Sequence, residues 1–438
     1  MRWGSIRRNM FCNIIKPVRE LIDDPAFIDR HRRSEKDFTR HRSLPFPVVV
    51  LFLLNLIKGG LQRELDEFFQ VLHDTQLAER LVAKSAFCAA RRKLKPTAFI
   101  ELNRDLVRRW YHDAPVQRWR GLDVRAVDGS TLRLPDTPDV IASFGRMFPA
   151  HSDPATLARI SQIHDPLNGL VLDAVIAPYH RDERDLLFDH LAALEAGCLL
   201  LLDRGYPAFW VFAALQARKI AWCARVALDT WSVVRDFLAA DQDDAVVTLQ
   251  PHTEAQADCR ARDLPTTPIR VRLIRVMLPT GAVAVLMASL LDRDDYPAEE
   301  FAALYHLRWA EEEHFKCFKS RVEVENWSGK SALTIDQDFQ AKVFTLNLTT
   351  ALATAAQQHV DQHHEADVHP KRVNLTHALC TMKQALVRLL TRSDALELLR
   401  AVIEVIARTV EPVRPGRSYP RRRGPRLHGY PMAYKPCP

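Results

Sequence analysis

The chain has 438 residues, 47% of them hydrophobic, enough to build sizeable cores in roughly two to four domains. Its formal charge of +7 is unevenly spread: Pro412 to Pro438 holds seven Lys or Arg and no Asp or Glu, which suits a polyanion such as nucleic acid or, alternatively, a solubilising tail. Eight cysteines without any C-x-x-C pair argue against a zinc ribbon or disulfide scaffold, and the most apolar run, Val48 to Ile57, is too short to span a bilayer, so a soluble cytoplasmic protein with no membrane contact is expected.

In chain order, the first 112 or so residues read as helical. Leu61 to Leu72 places apolar residues at 61, 65, 68, 69 and 72 on one face, and a shorter pattern runs from Gln76 to Val82. Ser85 is a suitable N-cap for a following helix that carries Arg91, Arg92, Lys93 and Lys95 and stops at Pro96. That basic segment is either a groove-reading or phosphate-gripping element or an ordinary solvated face.

The period then changes. Val124 to Val127 reads as a short strand ending at Asp128, and Arg159 to Ile163 with Leu170 to Ala177 as a hairpin turning at Asn168-Gly169. Glu183 to Ala196 is helical in pattern. Cys198 to Leu202 is the kind of run found in a strand buried on both faces, ending at Asp203. A helix from Pro207 to Arg218 and a strand from Ile220 to Ala227 complete a mixed sheet flanked by helices, an α/β architecture. Residues 229 to 287 look like a β-rich insertion with strands at 245–249, 269–278 and 283–288, and helices dominate from Ala298 to about Thr409.

Asp128 and Asp203 each follow a short apolar strand, where side chains reach the rim of a sheet, although Asp before Gly is also a common turn residue. The segment Tyr305 to Lys319 adds a third acid. On a continuous helix, Tyr305, Arg308, Glu312, Lys316 and Lys319 fall within an arc of about 80°, beside an apolar arc of Leu304, Leu307, Phe315 and Phe318. Glu311 falls in that apolar arc and Glu313 nearly opposite it, so Glu312 is the glutamate best placed for a site, unless the face is merely solvated with an Arg308–Glu312 ion pair. Three carboxylates suit two divalent cations about 3.5–4 Å apart, which activate an attacking oxygen and stabilise a leaving one in phosphoryl transfer.

These residues closely resemble the insertion sequence 4 family of DDE transposases. The likeness rests on Asp128-Gly-Ser-Thr-Leu-Arg-Leu-Pro-Asp, on Asp203-Arg-Gly-Tyr, on the Y-R-E-K signature Tyr305-x2-Arg308-x3-Glu312-x6-Lys319, and on Glu325-Asn-Trp-Ser-Gly-Lys330, and it covers roughly residues 35 to 425. It implies an RNase H-like catalytic fold with a β-rich insertion, with Asp128, Asp203 and Glu312 as catalytic residues and ligands of two Mg²⁺ ions, Mn²⁺ being a substitute. DNA contacts are implied for Tyr305, Arg308, Lys316 and Lys319, and are expected of Arg91, Arg92, Lys93 and Lys95. The partners implied are double-stranded DNA, as terminal inverted repeats and target, and a second copy in a synaptic dimer; the localisation is cytoplasmic, at the nucleoid. The expected layout is a helical DNA-binding domain (1–115), a catalytic domain in two parts (116–228 and 288–355) around the insertion (229–287), C-terminal helices (356–411) and a basic tail (412–438).

By the same resemblance, cleavage by activated water precedes attack of the freed 3′-hydroxyl on the other strand or target DNA. Some relatives use a hairpin intermediate, for which Trp222 and Trp231 are the nearest aromatic candidates to receive a flipped base. A hydrolase of small phosphate esters would need neither the basic tail nor the Arg/Lys helix face. A transposase-derived regulator that binds repeats without cutting is the alternative function. His151, His164 and His180 lack metal-ligand spacing and read as structural groups. Arg270, Arg272 and Arg275 could line DNA or form an exposed basic strand face. The helices from Asn374 to Thr409 read as packing with dimer contacts.

Overall fold

A computed structural model of the protein describes residues 10–40, 42–148, 154–277, 281–363 and 369–413. His151 and the basic tail from 414 onward lie outside the described residues.

The chain begins with helices α1 (Lys16–Asp23), α2 (Pro25–His31), α3 (Phe46–Leu54), α4 (Leu61–His73), α5 (Lys84–Arg91) and α6 (Thr97–Asp113). The apolar run is α3; its Pro47 sits in the first turn, where a missing N–H costs nothing, and most of its residues are buried. The face anticipated for α4 buries Leu65, Phe68 and Phe69, and the helix ends at Asp74 in a left-handed conformation. No helix forms over 76–82, where Leu77 and Leu81 stay exposed: the pattern there has no surface to cover. Helix α5 starts one residue before Ser85, capped at Ala83, and ends at Arg91.

The middle of the chain supplies β1 (Val124–Arg133), α7 (Pro138–Phe144), β2 (Arg146–Met147), β3 (Ala155–His164), β4 (Val171–Pro178), α8 (Glu183–His190), β5 (Leu199–Leu202), α9 (Phe209–Ala217) and β6 (Ala221–Val226). It continues through α10 (Ser232–Ala239), β7 (Asp244–Leu249), α11 (Thr253–Arg260), β8 (Ile269–Met277), β9 (Val283–Ala288), α12 (Phe301–His306) and α13 (Trp309–Ser320). The last helices are α14 (Ala332–His363), α15 (Leu375–Thr391) and α16 (Ala395–Arg408).

The chain forms two compact units. One comprises Met1–Pro115, Leu132–Ala158 and Cys317–Pro438; the other comprises Val116–Thr131 and Arg159–Lys316. The first is built on α14, a single buried helix that runs unbroken through the expected boundary at 355 and packs with α3, α6, α15 and α16. Leu379, Met382, Leu386 and Leu390 of α15 and Leu399, Ile403 and Ile406 of α16 are spent on this core.

The second unit holds a mixed sheet flanked by helices, as expected. Its strands follow the order β4-β3-β1-β5-β6-β9-β8-β7. Strands β1, β5 and β6 are parallel neighbours, whereas β6–β9, β9–β8 and β8–β7 are antiparallel. The four leucines of β5 are fully buried and alternate: Leu200 and Leu202 join Val127, Phe212 and Trp222 on one face, Leu199 and Leu201 join Ala126, Phe301 and Leu304 on the other. The segment expected as an insertion includes helices α10 and α11, and its strands β7–β9 extend the main sheet beyond β6. Among the described residues, no helix is long and apolar enough to cross a membrane.

Candidate active site

Two acids are delivered by the centre of the sheet. The parallel pairing of β1 with β5 sets Ala126 opposite Leu201, so Asp128 and Asp203 each lie two residues further along. Unlike the short strand expected, β1 continues to Arg133, and Asp128 lies within it. The Asp128 carboxylate accepts from the Gly129 N–H at 2.8 Å, and that of Asp203 from the Gly205 N–H at 2.7 Å. In the turn 203–206 the Tyr206 N–H reaches back to the Asp203 carbonyl at 3.3 Å. Gly129 is needed for close approach: a Cβ there would lie 2.8 Å from a Glu183 carboxylate oxygen, itself gripped by Arg159.

The third acid enters from α13. The continuous helix expected from Tyr305 to Lys319 is broken: α12 ends at His306 and α13 begins at Trp309. The break matters because it turns Tyr305 into the core with Phe301 and Leu304, where it cannot stack on a base or reach a DNA backbone. Its ring instead faces the Arg308 guanidinium, 5.8 Å from the ring centre. Arg308 is the hub of the site. One of its nitrogens lies 3.7 Å from the Asp128 carboxylate, and another donates to Glu312 at 3.3 Å. The charge of Asp203 also bears on the guanidinium.

Electrostatics show how crowded this anionic centre is. Burial, reinforced by the charges of Glu311 and Asp203, holds the Asp128 carboxyl up at about 7 despite the Gly129 bond and Arg308. Glu311 is fully buried, and burial pushes it up to about 8. The His164 Nδ1 lies 3.1 Å from Glu311, and the His164 and His314 rings are 4.4 Å apart. Burial pulls His164 down to about 4 and His314 to about 3. His164 is thus a buried member of this cluster, whereas His180 is exposed.

Among the described residues, no three His, Cys, Asp or Glu side chains are gathered as a ready cage for a metal ion. The Arg308 guanidinium stands between two of the three carboxylates, Asp128 and Glu312. The donor set nonetheless fits a hard divalent ion: the groups are carboxylate oxygens, and Asp128 carries a proton affinity that a nearby dication would relieve.

The other predicted contacts divide. Lys316 is exposed and paired with Glu313, and Lys319 is half-buried and belongs to the first unit. Arg91 must be corrected. It is 1% exposed, and its guanidinium is consumed by Gln337, Ser328, the Thr334 carbonyl and Asp338, so it cannot grip DNA. Arg92 is exposed, Lys93 lies 3.8 Å from Asp37, and Lys95 donates to the Arg30 carbonyl. Arg272 is also buried, held by both Asp244 oxygens, and Arg275 pairs with Asp241, which leaves Arg270 exposed on β8. Trp222 stacks on Phe212 in the core and cannot receive a base, while Trp231 is partly buried against the same cluster. Among the described residues, Trp309 is an exposed indole, 50% accessible and adjacent to Arg308 in sequence.

Comparison with known proteins now bears on this geometry. The family described as the transposase DDE domain matches residues 119–348, more than half of the chain and all three acids. The chain belongs to the DDE transposases. It is 23% identical over 434 residues to the transposase InsG of insertion sequence element IS4 from Escherichia coli (strain K12), covering 96% of this chain and 95% of InsG. A distant likeness, with 9% identity and a TM-score of 0.46 over 92% of this chain and 87% of the other, is to the piggyBac transposase in a cryo-EM synaptic complex with hairpin DNA.

DDE transposases are metal-dependent enzymes that cut and transfer DNA. Sequence reasoning missed Glu311, Tyr206 and Glu183. For Glu311 the signal was present, since a carboxylate on the apolar arc of a helix must be buried with some purpose or at some cost. Glu183 gave no such signal, because only the fold brings it beside Gly129, whereas Tyr206 stood in the quoted Asp203-Arg-Gly-Tyr motif without a role of its own.

Proposed function

We propose that this transposase binds the terminal inverted repeats of its own element and performs cut-and-paste transposition with Asp128, Asp203 and Glu312 as its catalytic carboxylates. The observation that carries the reading is the common registration of Asp128 and Asp203 past the β1–β5 pair, with Arg308 spanning Asp128 and Glu312. Two divalent ions, Mg²⁺ in the cell and Mn²⁺ as substitute, would be held by these three carboxylates and would activate an attacking oxygen while stabilising the leaving one.

The chain's own residues do the rest. Arg308 has a planar fork suited to a phosphate and would exchange a carboxylate for the scissile group as DNA enters. Tyr305, packed in the core against it, keeps that fork aimed. Lys316 and Lys319 add point charges along the backbone, with Arg92, Lys93 and Lys95 as further contacts from the N-terminal helices. Water cleaves the phosphodiester and leaves a 3′-hydroxyl; that hydroxyl then displaces a 3′-oxygen in the other strand or the target, one bond forming as one breaks. Pairing of two ends calls for a dimer, acting at the nucleoid in the cytoplasm.

The test is end cleavage. Purified protein is incubated with DNA carrying the repeats that flank its own gene, with and without Mg²⁺. Wild type is expected to nick and excise only with the ion, and Asp128→Asn, Asp203→Asn and Glu312→Gln to retain DNA binding but lose at least about a thousandfold in rate. Cleavage by Glu312→Gln at the wild-type rate refutes the assignment. Repeat binding by wild type without cleavage under any divalent ion would instead make the chain a regulator.

A further inference from the structure

We propose that Arg184 is a positioning residue for Asp203, its side chain fixing the turn whose amide orients that carboxylate. The inference rests on the reading of Asp203 as a metal-binding acid, and every residue in it belongs to the second unit.

Asp203 leaves the end of β5 into a turn whose Arg204 and Gly205 are exposed. Its carboxylate accepts from the Gly205 N–H, two residues on, at 2.7 Å. A Cβ at 205 would lie 3.2 Å from that same carboxylate oxygen, so a larger residue would crowd it. Glycine, however, has the widest backbone freedom of any residue, and an exposed glycine gains no restraint from packing. The restraint comes from outside the turn: the Arg184 Nε donates to the Gly205 carbonyl at 2.9 Å. Gly205 is thereby tied at both backbone polar groups, its N–H to Asp203 and its carbonyl to Arg184.

Arg184 is itself mounted on a fixed support. It is the second residue of α8, and its own N–H donates to the capping Asp182 carboxylate at 2.8 Å. Glu183 beside it is gripped by Arg159. At the other end of the helix the buried His190 bridges two strands, its Nδ1 2.8 Å from Asp173 of β4 and its Nε2 3.0 Å from Ser161 of β3. Between these ends, Leu187 belongs with Leu202 and Tyr206 to one buried core, so helix and turn share a foundation. A cation in a first turn runs against the helix dipole, which favours the neighbouring Glu183 and Asp185 there. Local helix preference gives no reason for Arg184; the Gly205 carbonyl does.

Two variants separate the donor from the charge. Arg184→Met keeps an apolar stem and removes the donor. Arg184→Gln places an amide nitrogen as many bonds from the backbone as the arginine Nε, without the charge. In the full-length protein, Arg184→Met is expected to weaken Mn²⁺ binding, measured calorimetrically without DNA, by about tenfold, and to slow single-turnover end cleavage similarly. Arg184→Gln is expected to stay within about threefold of wild type in both. Hydrogen exchange of the 203–206 segment without ion is expected to quicken in Arg184→Met alone. DNA affinity and melting temperature are expected to match wild type in both variants. Wild-type ion affinity or wild-type exchange in Arg184→Met overturns the proposal, as does a loss that tracks a fall in melting temperature. Equal losses in the two variants make the charge the active feature and overturn it too. A wild type that takes up no divalent ion sinks the carboxylate reading and this role together, whereas equal uptake by wild type and Arg184→Met sinks the role of Arg184 alone.

Discussion

Arg308 lies 3.7 Å from Asp128 and donates to Glu312 at 3.3 Å, so one guanidinium offsets the repulsion of two acids from opposite ends of the catalytic sequence. Its side chain is mostly buried, so the offset is not lost to solvent screening. Arg308→Met is expected to destabilise the metal-free protein by about 1–3 kcal/mol, because it leaves buried charges unpaired. Added Mg²⁺ should then raise the melting temperature of the variant more than that of wild type, since the ion takes over the missing charge. Equal Mg²⁺-induced shifts in the two proteins would show that Arg308 does not occupy the cation position.

Arg91 and Asp338 form a buried ion pair at 2.9 Å in the first unit, extended by Gln337 and Ser328. Asp338 is held below the ordinary carboxylate range by Arg91 and Lys342 in spite of its burial. Removing one partner strands the other charge, so Arg91→Met is expected to cost about 3–5 kcal/mol in urea unfolding. Its contribution to DNA binding should be nil: the salt dependence of affinity is expected to keep its slope, whereas Arg92→Ala is expected to reduce the slope by about 0.9 if that exposed residue meets a phosphate. A shallower slope for a folded Arg91→Met would restore it as a DNA contact.

The contrast between Arg91 and Arg92 marks the limit of what sequence could tell. Helix periodicity located α4, and the buried run located β5, because each signal is the burial of one face or two. Asp203 stands just past the end of β5, where its strand pattern put it, whereas β1 runs on past Asp128 to Arg133. Arg91 was misread because charge alone does not say which arginine meets a carboxylate 247 positions away, at Asp338. The wheel drawn through Tyr305 to Lys319 assumed an unbroken helix, and nothing in Leu307-Arg308 announces the break that turned Tyr305 inward. Equally, β7–β9 read as strands, but their pairing partner β6 could not be inferred from strand pattern.

Gly329, in the segment that follows the signature, has its own structural reason. A Cβ at this position would lie 2.5 Å from the Thr334 Cβ. Thr334 cannot retreat, because its hydroxyl donates to the Ser331 carbonyl at 2.8 Å and accepts from the Ser331 N–H at 2.9 Å. Gly329→Ala is therefore expected to destabilise the protein by about 1–3 kcal/mol through overpacking. Thermal unfolding checks this, and a melting temperature equal to wild type would mean that the 328–334 loop can open without cost.

The acids and histidines around Asp128 predict an unusual pH dependence of stability in the metal-free protein. Asp128 and Glu311 are raised from 3.8 and 4.5 to about 7 and about 8, so the folded state keeps protons that the unfolded chain has released. Their contribution is complete below pH 4 and is lost as pH rises through 7 to 8. His164 and His314 act the other way. Lowered from 6.5 to about 4 and about 3, they favour the folded state above pH 6.5 and lose that contribution as acid protonates the unfolded chain and then the folded one. Between about pH 4.5 and 6.5 the two slopes oppose one another. Above 6.5 only the acids remain, and stability is expected to fall by about 2 kcal/mol by pH 8. Urea unfolding with chelator at pH 6.5 and 8 measures this directly. Asp128→Asn should flatten part of the fall, and Mg²⁺ should oppose it in wild type by favouring the ionised carboxylate. A wild-type protein whose chelated stability is unchanged from pH 6.5 to 8 would mean that neither acid is protonated in the folded state.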